Sequence, residues 1–505
     1  MFQHKIAALE KCRAQSAPLP SGAAPYTSST HFKVSNTADK PASRSWDHRF
    51  SKIILGRSAS VLKASQRLPN TSRPMIPLGT ARPTPEYYPW DTLDMTAAKG
   101  VLRNATEEVV DSITCKKGEE AYDLSVAMNY GYAAGCPQLL RYITEHVEML
   151  HNPPYRDWEC SVTCGTTSAI DIVLRIFCNP GDWIITEAHT YSCTVDAAKS
   201  QGLKIVGIDM DDLGLCPSDL DEKLETWPSN KGPRPFLLYM IPSGQNPTGT
   251  TQSAERRKAI YEVAEKHDLY ILEDDPYFYL QLHTTDVLSP EDYIGQLQTS
   301  YLSLDTSGRV LRLDSTSKIL APGLRAGWLT ASSDVVERFL ACSELSTVSP
   351  SGPSQVLLYK LLEQAWGHEG FINWLARLSA QYSHRRNVFI EACHTYLPID
   401  ICSWLVPREG MFLWLCIDVT KHPDYAPEGS ASNLTDLRLR LEDRIYTNAR
   451  EKGVLVSKGG WFTVDDRRPI QIHFRATFAA APIPSLADGI KLFSQCVREE
   501  FLRLG

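Results

Sequence analysis

Two short apolar runs with a helix-forming segment between them set the tightest limit on what this chain can fold into. Phe236–Ile241 reads Phe-Leu-Leu-Tyr-Met-Ile and Leu269–Leu272 reads Leu-Tyr-Ile-Leu. Both are too short for a stable helix and carry no charge, as strands buried on both faces do. Between them, Ser253–Lys266 sets Ala, Ile and Val among charged residues at helical spacing, with Ser253 placed as the N-cap. Strand, helix, strand of this kind predicts a parallel α/β sheet. Trp183–Thr186 supplies a further strand of the same type.

The pattern runs from about residue 46 onward, and the 505-residue length leaves room for more than one domain. Residues 1–45, rich in Ser, Ala, Pro and Lys, are expected to be a disordered leader. Their few acidic and several basic residues leave organelle targeting open. Residues 46–110 are assigned to an N-terminal arm and part of a smaller domain, 111–345 to the large domain, and 346–505 to the rest of the small α+β domain. A formal net charge of -7 argues against nucleic acid or an anionic membrane as the main partner. The densest apolar run, Gly410–Ile417, is strand-sized, well short of the ~20 residues that span a bilayer. Thirteen cysteines without a CxxC pair suit a reducing, cytoplasmic setting and no metal site.

Four segments carry the chemistry. In Asp314–Gly327, Lys318 follows a strand and a Ser-x-Ser turn, and a Pro-Gly bend returns Arg325 seven residues later. A positioned, partly deprotonated amine is a nucleophile toward an aldehyde, and a neighbouring cation favours that form. The hydroxyls of Ser315 and Ser317 and the fork of Arg325 suit a phosphate dianion. In Met240–Gly249, Asn246 precedes a proline just after a buried strand, where open α/β sheets bind ligands. Its amide could hold a phenolic oxygen, although an Asn-Pro pair by itself is an ordinary turn. In Glu273–Tyr277, Asp275 stands at another strand end, where a carboxylate can keep a pyridinium nitrogen protonated. Asp274 beside it could merely cap the strand. In Thr163–Ile170 a Gly-Thr-Thr turn opens an apolar helix, whose N-terminus attracts phosphate but is commonly only a cap.

In this order and spacing the segments resemble the pyridoxal-phosphate aminotransferases of fold type I, class I/II. The resemblance is to their aromatic amino acid and 2-aminoadipate (kynurenine-type) branch, particularly its fungal members, and covers about residues 47 to 501. It implies a large domain with a central, mostly parallel seven-stranded sheet flanked by helices, and a smaller α+β domain built from the N-terminal and C-terminal parts. Pyridoxal 5'-phosphate is the implied cofactor, and an L-amino acid and a 2-oxo acid such as 2-oxoglutarate are the implied substrates. Lys318 then holds the cofactor covalently and shuttles the proton, Asp275 pairs with the ring nitrogen, and Asn246 holds the ring oxygen. Thr166, Thr167, Ser315, Ser317 and Arg325 fall on the phosphate ligands, and Tyr191 on the aromatic residue stacked over the ring. Arg475, in Ile472–Phe478, falls on the receptor for the substrate carboxylate; without the resemblance it reads as a strand-end ion pair. Tyr130 matches the tyrosine that reaches the neighbouring subunit's phosphate, implying a homodimer with composite sites. Arg82, in Leu78–Pro83, is either a second anion site or a structural arginine.

One position departs from the family pattern: Phe278 stands where a tyrosine hydroxyl usually bonds the cofactor, with Tyr277 and Tyr279 on either side. That departure keeps open a second outcome on the same fold, in which the site decarboxylates, eliminates or forms a carbon–carbon bond. A binding module without catalysis is the third reading, and the four chemical motifs count against it.

Overall fold

The computed structural model describes residues 2–35, 37–57, 76, 78–79, 81–97, 112–426, 431–464 and 471–502. Parts of the 46–110 assignment, and Thr80 in the segment around Arg82, lie outside the described residues. Seven strands form the main sheet: β1 (Trp158–Thr163), β2 (Trp183–Glu187), β3 (Lys204–Ile208), β4 (Leu237–Met240), β5 (Tyr270–Asp274), β6 (Val310–Ser315) and β7 (Gly327–Ser332). Their order is β1-β7-β6-β5-β4-β2-β3. β2, β3, β4 and β5 pair in parallel, whereas β7 is antiparallel to both β1 and β6. The two runs that opened the sequence argument are β4 and β5, and every residue of both is buried. This is the expected α/β class with a mostly parallel seven-stranded sheet.

The chain gathers into two compact units, one of residues 1–180, 288–295 and 299–374, the other of residues 181–287, 296–298 and 375–505. The boundary expected at residue 345 therefore falls inside the first unit.

In the first unit, helices α1 (Phe2–Gln15), α2 (Pro137–Leu150) and α3 (Thr166–Phe177) accompany β1, β6 and β7. α3 buries Ala169, Ile170, Val173, Leu174 and Phe177, the recurring three- and four-residue spacing of one helical face. The leader is not a disordered tail. Phe2 and Leu9 of α1 are buried, Lys5 Nζ donates to the Met149 carbonyl at 2.6 Å, and Arg13 Nε donates to Glu145 at 2.8 Å. Glu148 accepts from the backbone N–H groups of Val34 and Ser35, and Trp46 is fully buried. Composition missed this because the segment docks through ion pairs and main-chain hydrogen bonds to α2, with few apolar anchors to reveal it.

In the second unit, α4 (Ser192–Ser200) and α5 (Ala254–Lys266) accompany β2 to β5, and Ser253 caps α5 by accepting from the Arg256 N–H. A four-stranded antiparallel sheet follows, made of β8 (Cys402–Trp404), β9 (Phe412–Ile417), β10 (Ser457–Lys458) and β11 (Ile472–Thr477) in the order β8-β9-β11-β10. Long helices complete the C-terminal part: α6 (Gly367–Tyr396), which belongs to this unit from residue 375 onward, α7 (Ala431–Glu451) and α8 (Ile483–Phe501). Among the described residues no helix is long and apolar enough to cross a membrane. All thirteen cysteines are free thiols.

Candidate active site

In the first unit the strand register brings three chain segments to one edge of the sheet. Gly327, which opens β7, lies opposite Thr163 at the end of β1 and opposite Ser315 at the end of β6. The Gly165–Thr166–Thr167 turn, the Ser315–Lys318 turn and Arg325 therefore share that edge. β6 is locked before it ends, because Arg312 and Asp314 form a fully buried pair through Nε to Oδ2 at 3.0 Å and Nη2 to Oδ1 at 2.9 Å. The Lys318 turn is held on both sides. Ser317 N–H donates to Ser315 Oγ at 3.1 Å, Thr316 Oγ1 donates to the Ala326 carbonyl at 2.8 Å, and Trp374 Nε1 donates to the Ile319 carbonyl at 2.8 Å. Lys318 itself is half-buried.

Gly165 and Arg325 form an anion cradle. Gly165 is the N-cap of α3 with φ +85°, and no side chain caps that helix, so its first amides face out. A Cβ on Gly165 would stand 2.3 Å from Arg325 Nη2, so the guanidinium lies over the helix N-terminus because a glycine is there. Arg325 is exposed and adopts left-handed backbone at φ 46°, with Nη1 donating to the Pro322 carbonyl at 3.1 Å. Helix dipole, open amides and guanidinium together suit a doubly charged phosphate.

In the second unit the parallel strands β2, β4 and β5 end side by side at Glu187, Met240 and Asp274. The loop after β4 is braced by Gln245. Its Nε2 donates to Glu187 Oε2 at 2.8 Å and to the His189 carbonyl at 2.6 Å, and its Oε1 accepts from Thr248. Asn246, next in sequence, is buried, and its Oδ1 accepts from Arg475 Nη1 at 2.7 Å. Asp275 is buried just past β5, where its Oδ2 accepts from Ser243 Oγ at 3.1 Å. Burial pushes Glu187 up to about 8, Asp274 adds to that, and the Gln245 and Ile241 donors oppose it.

Arg475 lies on β11 between two rings, its Cζ 4.7 Å from the Phe412 centroid and 4.6 Å from that of Phe462. Nη2 donates to Ser457 Oγ at 3.2 Å. Desolvation lowers its pKa from the usual arginine value, against the pull of the Tyr277 and Tyr191 hydroxyls that face it. The alternative of a strand-end ion pair does not describe it: among the described residues no acid pairs with Arg475, and its guanidinium lies over two aromatic rings instead.

The structure thus gathers Thr166, Thr167, Ser315, Ser317, Lys318 and Arg325 in the first unit, and Tyr191, Asn246, Asp275 and Arg475 in the second. Arg82 donates from Nη1 to the Ala23 carbonyl at 3.3 Å, a tie to the N-terminal segment that favours its structural reading. Tyr130 is 57% exposed. Sequence reasoning gave no role to Tyr277, whose buried hydroxyl lies beside Asn246, or to Phe412, Phe462 and Gln245. Tyr277 and Gln245 sat inside motifs already singled out; the phenylalanines carried no local signal. Phe278 is buried edge-on to Tyr279 at 5.1 Å.

With its ligand-type groups gathered at strand ends, the chain is an α/β enzyme built on the rule that such sheets bind at their carboxyl edges. Residues 94–490 match the family described as aminotransferase class I and II, and the chain belongs to that family. It is an aminotransferase. It is 48% identical over 481 residues to the aminotransferase swnA of Arthroderma benhamiae, covering 94% of each chain. It is 36% identical to an aromatic amino acid aminotransferase of Schizosaccharomyces pombe, covering 90% of this chain and 98% of that one. Among solved structures it is similar to the aminotransferase Aro8 of Candida albicans, at 34% identity and TM-score 0.82, over 92% of this chain and all of the other.

Proposed function

We propose that this aminotransferase moves the amino group of an aromatic or 2-aminoadipate-like L-amino acid to a 2-oxo acid such as 2-oxoglutarate, with pyridoxal 5'-phosphate as its cofactor. The observation that carries the substrate side is Arg475, a guanidinium stacked between Phe412 and Phe462 and bonded to Asn246. It offers a carboxylate receptor with aromatic surfaces beside it, and the similarity to an aromatic amino acid aminotransferase points the same way. The cradle of Gly165 and Arg325 fits the cofactor's phosphate, with Thr166, Thr167, Ser315 and Ser317 as further donors.

When bound, the cofactor supplies an aldehyde carbon that condenses with amines and a ring that draws electrons from the substrate Cα. Lys318 Nζ would be the amine that holds it, and the same amine would serve as the base at the substrate Cα and as the acid that returns the proton. Asp275 would hold the ring nitrogen, Asn246 would donate to the ring oxygen, and Tyr191 would offer an aromatic face to the ring, a stacking contact of about 1 kcal/mol. Arg475 would bind the substrate carboxylate and fix the orientation of its Cα–H bond. The Tyr277 hydroxyl at Asn246 offers a phenol to this region, so Phe278 does not by itself argue for decarboxylation, elimination or carbon–carbon bond formation. The exposed Tyr130 is assigned to a partner subunit's phosphate in a homodimer, and the enzyme to the cytoplasm.

The test is a donor screen with purified enzyme and 2-oxoglutarate, following glutamate and the new 2-oxo acid. Stoichiometric glutamate from phenylalanine, tyrosine, tryptophan, kynurenine or 2-aminoadipate is the expected result. Consumption of the amino acid without glutamate would overturn the reading in favour of the second outcome.

A further inference from the structure

The second unit contains a buried charge cluster around Asp275, in which the reading above gives no role to Arg257 or Glu409. Arg257, on α5, stands with Nη1 3.9 Å from Asp275 Oδ2, and both side chains are fully shielded from solvent. Its Nη2 donates to Ser243 Oγ at 3.0 Å, and that hydroxyl in turn donates to the same Asp275 oxygen at 3.1 Å. Nε of Arg257 donates to the Gln252 carbonyl at 3.1 Å, which fixes the guanidinium plane. Glu409 is fully buried and faces Arg257 and Asp275, with Ser243 and Gln281 alongside. Ser243 and Gln281 are the hydrogen-bonding side chains that reach its carboxylate. The backbone holds it there: Glu409 bridges to Gln281, and Gly410 packs so tightly on Gly244 that a Cβ on Gly244 would lie 2.5 Å from the Gly410 Cα.

A guanidinium this close to Asp275 competes for the same carboxylate and repels a cation on any ring nitrogen it holds. With the cofactor reading of the preceding subsection, on which this inference rests, Asp275 carries one negative charge against two positive ones, Arg257 and the ring N–H. An uncompensated charge in a water-free interior is costly, and a second carboxylate removes it. We propose that Glu409 is the counter-ion of Arg257, a positioning residue that leaves the Asp275 charge available to the protonated ring nitrogen of the cofactor. Burial and Asp275 push Glu409 up to about 7 while Arg257 pulls it down. A cation on the ring nitrogen adds to that pull and favours the ionised form in the loaded enzyme.

The experiment loads the full-length enzyme with pyridoxal phosphate labelled with 15N in the ring and records the nitrogen resonance for wild type, Glu409→Gln and Glu409→Ala. The expected result is a protonated-nitrogen resonance in wild type that moves toward neutral pyridine in both variants. Deprotonation of substrate Cα in single-turnover half-reactions should slow by roughly tenfold or more, the equivalent of one pKa unit at the ring nitrogen. Formate added to Glu409→Ala should restore the resonance by standing in for the missing carboxylate. Variants that bind cofactor and lose thermal stability but keep the wild-type resonance would overturn the proposal and leave Glu409 a structural residue. Because Glu409→Gln is nearly isosteric, a folded variant is available even if the alanine form is unstable. A wild-type enzyme that takes up no cofactor, or holds it with a neutral ring nitrogen, would instead overturn the reading of Asp275 beneath it.

Discussion

Arg475 Nη1 donates to Asn246 Oδ1 at 2.7 Å, joining a residue of the antiparallel sheet to the loop that follows β4. Each fixes the other. With Oδ1 engaged, the amide has a defined face, and its Nδ2 is the end left to donate; with Nη1 engaged, the guanidinium cannot swing out from between Phe412 and Phe462. Asn246→Asp puts a carboxylate against the receptor that the substrate carboxylate is meant to use. Its KM for the amino donor should rise by about tenfold to a hundredfold, 1.4 to 2.8 kcal/mol of lost binding. Steady-state kinetics on the variant check this, and an unchanged KM would remove Arg475 from the carboxylate site.

Lys318→Ala tests the covalent anchor. The turn is braced by Ser317, Thr316 and Trp374 through bonds that do not involve the lysine amine, so the variant should fold. Amino transfer should fall by a factor on the order of 10³ or more, as general-base and nucleophilic roles vanish together. Borohydride reduction followed by peptide mass spectrometry should find the cofactor on Lys318 in wild type and nowhere in the variant.

Gly165→Ala probes the cradle. The new Cβ would meet Arg325 Nη2 at 2.3 Å, and a φ of +85° is strained for any L side chain. The backbone strain costs of order 1–3 kcal/mol. Cofactor affinity should drop about tenfold or more as the guanidinium is pushed off the helix N-terminus, which equilibrium dialysis measures. Equal affinity in the two proteins would place the phosphate elsewhere.

Tyr277→Phe removes the buried hydroxyl beside Asn246 while leaving the ring edge-on to Phe412 at 5.5 Å. A single buried hydrogen bond is worth about 0.5–1.5 kcal/mol, so turnover should fall by a few-fold, up to about tenfold. A loss comparable to that of Lys318→Ala would make Tyr277 part of the proton relay, which the present reading does not.

Glu187 imposes a pH dependence on stability whose sign follows from its raised pKa. Its carboxyl is held protonated to about 8 in the folded chain, against an ordinary value of 4.5. Between those values the unfolded chain binds fewer protons than the folded one, so this group's contribution falls as pH rises from 4.5 to about 8 and levels off above. Glu187→Gln keeps an oxygen to accept from Gln245 and abolishes the titration. Its Tm relative to wild type should climb by a few degrees between pH 5 and pH 8 (about 2–4 °C per kcal/mol for large domains). A difference that stays flat across that window would show that Glu187 is ionised in the folded enzyme.

The reach of sequence reasoning here follows interaction range. β4, α5 and β5 were legible because burial on two faces and helical periodicity are written into neighbouring residues. Lys318, Asn246 and Asp275 stood out for the same reason: proline, glycine and hydroxyl residues at short spacing mark strand ends, and the structure puts Asn246 and Asp275 just past β4 and β5. The docking of the first 57 residues was not legible, because ion pairs such as Arg13 with Glu145 join positions that no local pattern relates. Nor was the sandwich of Arg475 by Phe412 and Phe462, or the meeting of Arg257, Asp275 and Glu409. Each residue's own sequence determines that it is a charged or aromatic side chain near a strand; only tertiary folding decides which distant partner shares its desolvated space. That choice sets the charge balance, since an ionisable group removed from water depends on whatever other charges the fold brings beside it.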